Sequence, residues 1–368
     1  MEKSIQKTRD FYALKKDAAT LQHEFGYYSL ERWISEGHIK DANDINEICG
    51  IEKKGMEYFY ALGWCEAEFC PPFEVKVIED RGEHELVQDH AGRHVLYFKG
   101  RRNGFMPEYV AHPVKDRDTW ERDIKWRMDV NAPGRFDYLP KKLEEMKKFA
   151  DEGGMIGQGL IGGYMYLRSL AGPEDILYMV YDSPDLIHDM MKAWFDLADK
   201  VISKHQEHFT LDEIFFAEDI CYNHGPLISP DMMREFLFPY YTQLIDNVKK
   251  RQTDKTRRLY VQVDTDGDCR PVIPVYQEIG MDYMSPFEVA SGCDVVEIRK
   301  QYPDLLMRGG IDKRVLAQGK EAIDRMIDRI MPYMSKHGGF IPTCDHGVPE
   351  EVSFENFVHY RKRLAEFR

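Results

Sequence analysis

From residue 150 onward, short apolar runs alternate with long stretches of helical character, and this alternation constrains the fold more than any other feature. The segments Ser183-Pro184-Asp185 and Ser229-Pro230-Asp231 each combine an N-cap serine, a proline at the first helical position and an acid in the first turn. Strands that alternate with helices indicate parallel pairing through helical crossovers. The predicted strands are 155–160, 213–217, 258–263, 281–284, 305–308 and 339–342.

We therefore predict a (β/α)₈ barrel, which takes roughly 250 residues, within a chain of 368 residues. A doubly wound sheet is the alternative, and it would usually carry a glycine-rich phosphate turn after its first strand. The pattern G-x-G-x-x-G does occur at 157–162, but it lies in mid-chain. We interpret it as a tight turn near a ligand. The first barrel strand has no clear signal, and we place it within 61–69.

The amino-terminal part of the chain has a different pattern. Residues 1 to about 60 are amphipathic and predict helices, for example at 28–37 and 44–50. Three alternating apolar and polar segments between 73 and 99 predict a small antiparallel sheet outside the barrel. We predict a single domain over 1–368, with the helices and small sheet in 1–104 and the main barrel in 105–368.

The composition excludes several classes of partner. The net charge of −14 disfavours nucleic acid and anionic membrane surfaces. No apolar run approaches the roughly 20 residues that span a bilayer, and the charged first residues do not form a signal peptide. The seven cysteines are scattered, without a CxxC pair, which is typical of a reducing compartment. We expect a cytoplasmic protein.

Ionisable side chains follow five predicted strands in succession. In a barrel the strands converge at their carboxyl ends, so these groups are expected to face one pocket. Any one acid could equally be a helix cap or a loop residue on the rim, but the set predicts a shared site. Its members are Glu218, Asp219, Asp264, Asp266, Asp268, Glu288, Asp312, Cys344, Asp345 and His346.

The chemistry of this set depends on Cys344. Crowded carboxylates raise one another's pKa or bind a cation, and oxygen ligands alone suit magnesium or calcium. A thiolate beside carboxylates favours zinc, which could polarise a substrate oxygen. The alternative is that Cys344 is a small buried apolar residue. His346 could act as a general acid or base, or donate to the substrate.

Several stretches, in order, resemble the uroporphyrinogen decarboxylase superfamily. The resemblance covers residues 105–368 and implies a (β/α)₈ barrel. The stretches are Phe216-Ala-Glu-Asp-Ile with Gly225-Pro-Leu-Ile-Ser-Pro, Val263-Asp-Thr-Asp-Gly-Asp, Ser285-Pro-Phe-Glu with Cys293-Asp-Val, Gly309-Gly-Ile-Asp-Lys-Arg, and Ile341-Pro-Thr-Cys-Asp-His-Gly-Val-Pro.

The superfamily has two main activities, and the resemblance favours one of them. Decarboxylation of a tetrapyrrole fits poorly, because that branch's arginine-rich amino-terminal motif is absent from residues 1–60. The other activity is methyl transfer with a corrinoid protein, in which a His-x-Cys pair, an acid and a carboxy-terminal cysteine hold zinc. The resemblance places Asp264 and Asp266 on that pair, Glu288 on the acid and Cys344 on the cysteine. The two aspartates depart from the pattern and favour activation of an ether or alcohol oxygen over a thiol.

The prediction is thus a methyltransferase that moves a methyl group from a small methoxylated or methylated substrate, an aryl methyl ether among them, to a corrinoid protein. A metal or an acid would activate the leaving oxygen. Zinc and a cobalamin-type corrinoid on a partner protein are the predicted cofactors. The sequence leaves open whether the chain forms a homodimer. The predicted metal ligands are Asp264, Asp266, Glu288 and Cys344; the predicted catalytic residues are Asp266, Glu288 and His346; the predicted substrate contacts are Glu218, Asp219, Tyr164, Tyr222 and Asp312.

Two other functions stay open from the sequence. A cofactor-free decarboxylase or lyase acting on an acidic aromatic substrate would need basic residues in the pocket, and Arg168, Arg308 and Arg314 could supply them. A non-catalytic module that binds a corrinoid or a metal is the third. The tyrosines Tyr164, Tyr166 and Tyr222 could wall an aryl pocket, and ordinary packing against the barrel is their alternative role.

Overall fold

The computed structural model describes residues 2–64, 66–100 and 107–367, so the predicted boundary between 104 and 105 lies outside them. Most strands belong to one parallel sheet, whose helices lie between successive strands in sequence. The strands are β1 (Met56–Phe59), β2 (Lys76–Arg81), β3 (His84–Gln88), β4 (His94–Phe98), β5 (Glu108–Ala111), β6 (Met155–Ile161), β7 (Glu213–Ala217), β8 (Cys221–Tyr222), β9 (Gly225–Pro226), β10 (Tyr260–Asp264), β11 (Tyr283–Ser285), β12 (Leu306–Ile311) and β13 (Phe340–Cys344).

The helices vary widely in length. Short π or 3₁₀ turns also occur at Trp120–Ile124, Lys125–Met128, Val289–Ser291 and Val315–Gln318. The α-helices are α1 (Glu2–Tyr12), α2 (Leu30–Ser35), α3 (Ala42–Cys49), α4 (Arg117–Thr119), α5 (Leu139–Asp151), α6 (Gly163–Ala171), α7 (Asp175–Asp182), α8 (Pro184–Gln206), α9 (Pro230–Phe236), α10 (Phe238–Arg251), α11 (Ile273–Gln277), α12 (Val295–Gln301), α13 (Lys320–His337) and α14 (Phe354–Ala365).

Seven parallel strands form the main sheet in the order β1-β6-β7-β10-β11-β12-β13. The sheet is curled, because Met56 of edge strand β1 and Ile341 of edge strand β13 belong to one buried cluster on its concave face. Phe11 and Tyr12 of α1 join that cluster and cover the end at which the strands begin. We call this curled sheet the half-barrel. Its convex face packs against the helices in a much larger apolar core.

The predicted fold is confirmed as an α/β fold with a curled parallel sheet, but an eighth strand is not observed in the described part of the chain. An irregular segment lies between the two edge strands instead. Gln22 O accepts from Glu52 N at 2.6 Å, just before β1. Glu24 Oε1 accepts from Cys344 N at 2.8 Å, at the end of β13. A side chain therefore makes the contact to β13 that a strand's backbone would make in a closed barrel.

The six predicted strands all form, within a few residues of the predicted bounds. The small antiparallel sheet is also confirmed, as β2-β3-β4-β5. The placement of the first strand at 61–69 is wrong, since β1 is Met56–Phe59. The tight turn at 157–162 is wrong as well, because Gly157 and Gly159 lie inside β6.

The two predicted helix starts differ in detail. Both α8 and α9 begin at the proline, as expected. The Ser229 side chain accepts from Met232 N, so it caps α9. Ser183 makes no such bond, because α7 ends immediately before it and Ser183 joins two helices. In the described residues no helix is both long and apolar enough to cross a membrane.

Candidate active site

The mouth of the half-barrel, by which we mean the carboxyl ends of its strands with the loops that follow, holds an imidazole between two carboxylates. His346 Nε2 lies 3.1 Å from Asp266 Oδ1, and His346 Nδ1 lies 3.4 Å from Glu288 Oε1. The Nδ1 atom is buried and has no hydrogen-bond partner. The structure therefore brings together the three residues predicted to be catalytic, which follow three different strands.

Gly267 connects the loop after β10 to the loop after β11. Its N–H donates to Glu288 Oε2 at 2.9 Å. Its φ is +75°, and a Cβ here would lie 2.6 Å from the carbonyl oxygen of Tyr222. Any larger residue would force the backbone here to shift, so only glycine fits. Gly267, which follows Asp266 directly and binds Glu288, therefore holds these two acids close to each other.

The electrostatics of the mouth favour a protonated His346. Burial lowers the pKa of this imidazole, but the Asp266 carboxylate and the Glu288 charge outweigh burial, and the pKa is raised above its usual value. Lys313 opposes them, with Nζ 3.8 Å from Glu288 Oε1 and 3.8 Å from Asp345 Oδ1. A cationic imidazole at this position can donate a proton to a substrate oxygen.

Two further acids, Asp219 and Asp264, lie near the charge of Asp266. Asp219 Oδ2 pairs with Arg168 Nη2 at 3.0 Å. Burial raises the pKa of Asp219, and the charge of Asp266 raises it further. At the end of β10, Asp264 accepts a hydrogen bond from the Ser285 hydroxyl, and burial raises the pKa of Asp264 to about 6. Asp264 can therefore carry a proton close to neutral pH.

Asp312 and Tyr222 lie on the rim of the mouth, and neither forms an ion pair or hydrogen bond with His346 in the described residues. Asp312 Oδ2 pairs with Arg314 Nη2 at 2.8 Å, so a neighbour in sequence satisfies its charge. Tyr222 stands on the β8–β9 hairpin with 47% of its surface exposed. Its carbonyl oxygen accepts from Asp268 N at 2.9 Å, which seats the hairpin on the loop that carries Asp266.

Asp345 and Lys313 complete the mouth, although neither had a definite predicted role. Asp345 is 1% exposed, and its Oδ2 accepts from Val289 N at 2.9 Å. This bond holds the turn immediately after Glu288. Lys313 follows β12 directly after Asp312, so its position after a strand end was the signal that could have identified it.

Glu218 and Tyr164 lie behind the mouth, fully buried. Glu218 Oε1 accepts from Tyr164 N at 2.9 Å, and Glu218 Oε2 accepts from the Tyr241 hydroxyl. Glu218 thus binds an otherwise free N–H in the first turn of α6. The Tyr164 hydroxyl is itself buried without a partner. The structure places both predicted substrate contacts within the packing between β7 and the helices.

Substituting Glu218 by glutamine is expected to flatten the pH dependence of stability. Burial raises the pKa of Glu218 from 4.5 to about 7. The pKa of Glu218 is thus higher in the folded than in the unfolded chain. Glu218 therefore contributes its full stabilisation of the folded state below pH 4.5, and this stabilisation, about 3 kcal/mol in total, is lost as the pH rises through 7. Urea unfolding of wild type and E218Q at pH 5 and pH 8 measures the change. The exposed Glu235→Gln is the control, and an unchanged pH slope in E218Q would contradict the prediction.

Cys344 is not at the mouth. Successive side chains of β13 point to opposite faces, and Ile341 belongs to the concave cluster whereas Cys344 packs in the outer core with Tyr360 of α14. Burial raises the pKa of the Cys344 thiol well above its usual value, and the nearby charge of Glu24 raises it further. Cys344 is therefore part of the apolar core between the sheet and the helices.

The predicted zinc set does not fit this arrangement. Asp264, Asp266 and Glu288 are at the mouth, but the fourth ligand, Cys344, faces the helices. Across residues 2–64, 66–100 and 107–367, no group of three or more His, Cys, Asp or Glu side chains is arranged to hold a metal ion.

An aromatic wall lines one side of the mouth, and sequence reasoning missed it. Trp64 stacks on Phe215 of β7 with ring centroids 4.9 Å apart, and Tyr60 packs edge-on against Trp64 at 6.3 Å. Tyr60 is 52% and Trp64 42% exposed. A Cβ on Gly159 would lie 2.6 Å from the Tyr60 ring. The alternating glycines of β6, interpreted above as a turn, were the signal for these rings.

Arg308 of β12 carries a cation on the concave side of the sheet. Its Nε is buried without a hydrogen-bond partner, and its guanidinium carbon lies 5.8 Å from the centroid of Phe25. The Phe25 ring is in turn 5.4 Å from the His346 ring. The other two arginines considered above are already paired, Arg168 with Asp219 and Arg314 with Asp312.

The chain is similar to proteins of one enzyme family and to a solved methyltransferase. An uroporphyrinogen decarboxylase from Hydrogenobaculum sp. (strain Y04AAS1) is 20% identical over 133 residues, which is 36% of this chain and 36% of that enzyme. The chain thus matches only about a third of the length of that curated relative. A methyltransferase from Methanosarcina mazei superposes with a TM-score of 0.59 at 17% identity, covering 98% of each chain. At this identity the likeness establishes the fold.

The family assignment rests on a longer match. The family model named Uroporphyrinogen decarboxylase (URO-D) matches residues 104–366, well over half of the chain. This range includes every residue of the mouth from Arg168 to His346. The chain therefore belongs to the uroporphyrinogen decarboxylase (URO-D) family.

Proposed function

We propose that this chain is a methyltransferase that takes a methyl group from a small methoxylated or methylated substrate and passes it to a corrinoid protein. The observation that carries the proposal is His346, held between Asp266 and Glu288 at an open mouth. The shared fold of the Methanosarcina mazei methyltransferase supports it. So does the resemblance of the sequence to corrinoid-dependent methyltransferases.

The site residues would act on the oxygen that leaves. When the C–O bond breaks, its electron pair stays on oxygen, and His346 donates the proton that neutralises it. Asp266 and Glu288 stabilise the cationic imidazole before the transfer. A reduced corrinoid on a partner protein would supply the electron pair that forms the new bond to the methyl group.

The shape of the mouth supports access by a large partner. Phe25, Tyr60, Trp64 and Tyr222 are all between 38% and 52% exposed around it, and large exposed aromatic side chains are typical of contact surfaces. A corrinoid presents a broad flat ring that such a surface could receive. Docking there would bring the ring next to His346.

The test is direct methyl transfer. We expect the purified chain, mixed with a reduced corrinoid protein and an aryl methyl ether, methanol or a methylamine, to produce the absorbance change of corrinoid methylation. Asp266→Asn should slow the change, whereas Asp231→Asn, whose side chain is 95% exposed on α9, should not. An absence of change with every donor would count against the proposal.

Decarboxylation of an acidic aromatic substrate is a second candidate, and one observation favours it. The Arg308 cation could hold a substrate carboxylate, and the family takes its name from a decarboxylase. Release of CO₂ from an aromatic acid or a porphyrinogen, without any corrinoid present, would decide for this function over methyl transfer.

A further inference from the structure

Two cysteines from neighbouring loops of the mouth are in contact with each other. Cys269 lies in the loop after β10 and Cys293 in the loop after β11, and both side chains are fully buried. Their Sγ atoms are 3.7 Å apart. The sulfur atoms of a disulfide are about 2.05 Å apart, so a further approach of about 1.7 Å would allow a bond between them.

The pair lies on the same two loops that hold the acids beside His346. The Gly267 N–H donates to Glu288 Oε2 at 2.9 Å, and Cys293 Sγ lies 3.5 Å from the Gly267 carbonyl oxygen. The Cys293 N–H donates to the Glu288 carbonyl oxygen at 3.2 Å. A bond between the two sulfur atoms would therefore draw on both sides of the contact that sets Asp266 and Glu288 around the imidazole.

The hydrogen bond between the two thiols makes one of them the better nucleophile. The bond with Cys269 lowers the pKa of the Cys293 thiol below its usual value. The same bond, together with burial, raises the pKa of Cys269 well above its usual value. Cys269 therefore keeps its proton and donates, whereas Cys293 forms the thiolate more readily. The thiolate is the form of cysteine that attacks an oxidant.

Arg270 lies across the two segments that hold the pair. Its side chain is 51% exposed, and its Nε is 2.7 Å from Asp268 Oδ1. A Cβ on Gly292 would lie 3.0 Å from the Arg270 guanidinium. Because Arg270 follows Cys269 and Gly292 precedes Cys293, this arginine bridges the backbone next to both cysteines. We expect rotation of this half-exposed side chain to give a small oxidant access to the thiols.

We propose that Cys269 and Cys293 form a reversible disulfide that slows the site when a peroxide is present. The Cys293 thiolate attacks one oxygen of hydrogen peroxide, which breaks the O–O bond, leaves a sulfenic acid and releases hydroxide. The hydroxide takes up the proton that Cys293 lost and becomes water. The Cys269 sulfur then displaces the hydroxyl group of the sulfenic acid, and that group leaves with the Cys269 proton as a second water. A dithiol such as dithiothreitol restores both thiols and becomes a disulfide itself.

The first test is the bond itself, which does not depend on the proposed function. The full chain is treated with hydrogen peroxide, alkylated in denaturant, digested and analysed by mass spectrometry. We expect one linked pair of peptides, containing Cys269 and Cys293, that is lighter by two hydrogen atoms than the separate peptides and that dithiothreitol releases. Cys49→Ala, which removes another buried cysteine, is the matched control and should form the link as wild type does.

Three results of this first test would overturn the proposal. They are a link from either cysteine to Cys221, oxidation of Cys293 to a sulfinic acid without a link, and two free thiols after the peroxide treatment. Cys269→Ala and Cys293→Ala should each abolish the link. Thermal unfolding of each variant reports whether it folds, and the wild-type peptide map decides the outcome without any variant.

The second test is the effect of the disulfide on the site. In proton NMR spectra the ring resonance of His346, identified by its loss in H346Q, should shift after oxidation and return with dithiothreitol. The resonance should stay in place in peroxide-treated Cys269→Ala. After removal of the peroxide, the rate of corrinoid methylation by the oxidised chain should be lower by about tenfold or more, because a small displacement of catalytic groups is costly. Dithiothreitol should restore this rate.

These two measurements separate the inference from the proposed function. An unchanged His346 resonance and an unchanged rate in a chain that carries the disulfide would overturn the switch. A disulfide that shifts the His346 resonance, in a chain that methylates no corrinoid even when reduced, would support the inference and contradict the proposed function.

Discussion

Replacement of His346 by glutamine is expected to lower the turnover of methyl transfer by about a hundredfold, which is the usual contribution of a proton donor. Glutamine fills a similar volume and can still donate to Asp266, but it cannot transfer a proton. Stopped-flow absorbance of the corrinoid under saturating substrate measures the turnover. His208→Gln is the control, since His208 is exposed and precedes β7, at the opposite end of the half-barrel from the mouth.

The pH profile separates proton donation by His346 from a purely structural role. The carboxylate of Asp266 helps to raise the pKa of His346 above its usual value, so the active, protonated form is present below that raised pKa and is lost as the pH rises through it. In Asp266→Asn the alkaline fall in activity should move to lower pH. If the H346Q enzyme turns over like wild type, or if D266N leaves the profile in place, His346 is not the donor.

Substitution of Gly309 by alanine is expected to destabilise the fold by about 3 kcal/mol or more. Gly309 has a φ of +111°, and a Cβ at this position would overlap the carbonyl oxygen of Pro286. That same oxygen accepts from Gly310 N at 3.0 Å. The added methyl group therefore pushes β12 away from the segment that leads from β11 to Glu288. Urea unfolding measures the loss.

Gly280→Ala supplies the matched control for this substitution. Gly280 also has a positive φ, +85°, but no atom lies within 4 Å of the position its Cβ would take. It should lose only about 1 kcal/mol, the cost of the left-handed backbone for alanine. If the two variants lost similar free energies of unfolding, the close approach of Gly309 to Pro286 would contribute little to stability.

The main elements of the half-barrel could be predicted because their signals are local. An apolar run such as Glu213–Ala217 and a start signal such as Ser229-Pro230-Asp231 depend only on neighbouring residues. The gathering of Asp266, Glu288 and His346 followed from the same logic, since parallel strands deliver their carboxyl ends to one edge. The first strand was misplaced because β1 has only four residues, too few for a clear period.

The direction in which each side chain points at the end of a strand could not be predicted in the same way. A shift of one residue turns a side chain to the opposite face, and Cys344 and His346, only two positions apart, end in different places because the chain bends after β13. The role of the β6 glycines was hidden for a similar reason. Gly157 and Gly159 matter through the rings of Tyr58 and Tyr60 on another strand, which no local pattern reveals.

The sequence by itself thus determined an α/β chain of parallel strands with acids and a histidine at their carboxyl ends, because periodicity and strand ends are properties of neighbouring residues. The tertiary structure alone decided which of those groups meet. It buried Glu218 and Cys344 behind the sheet, set His346 between two carboxylates, and brought Cys269 into contact with Cys293. These outcomes depend on contacts between residues far apart in the chain, and packing of the whole half-barrel fixes them.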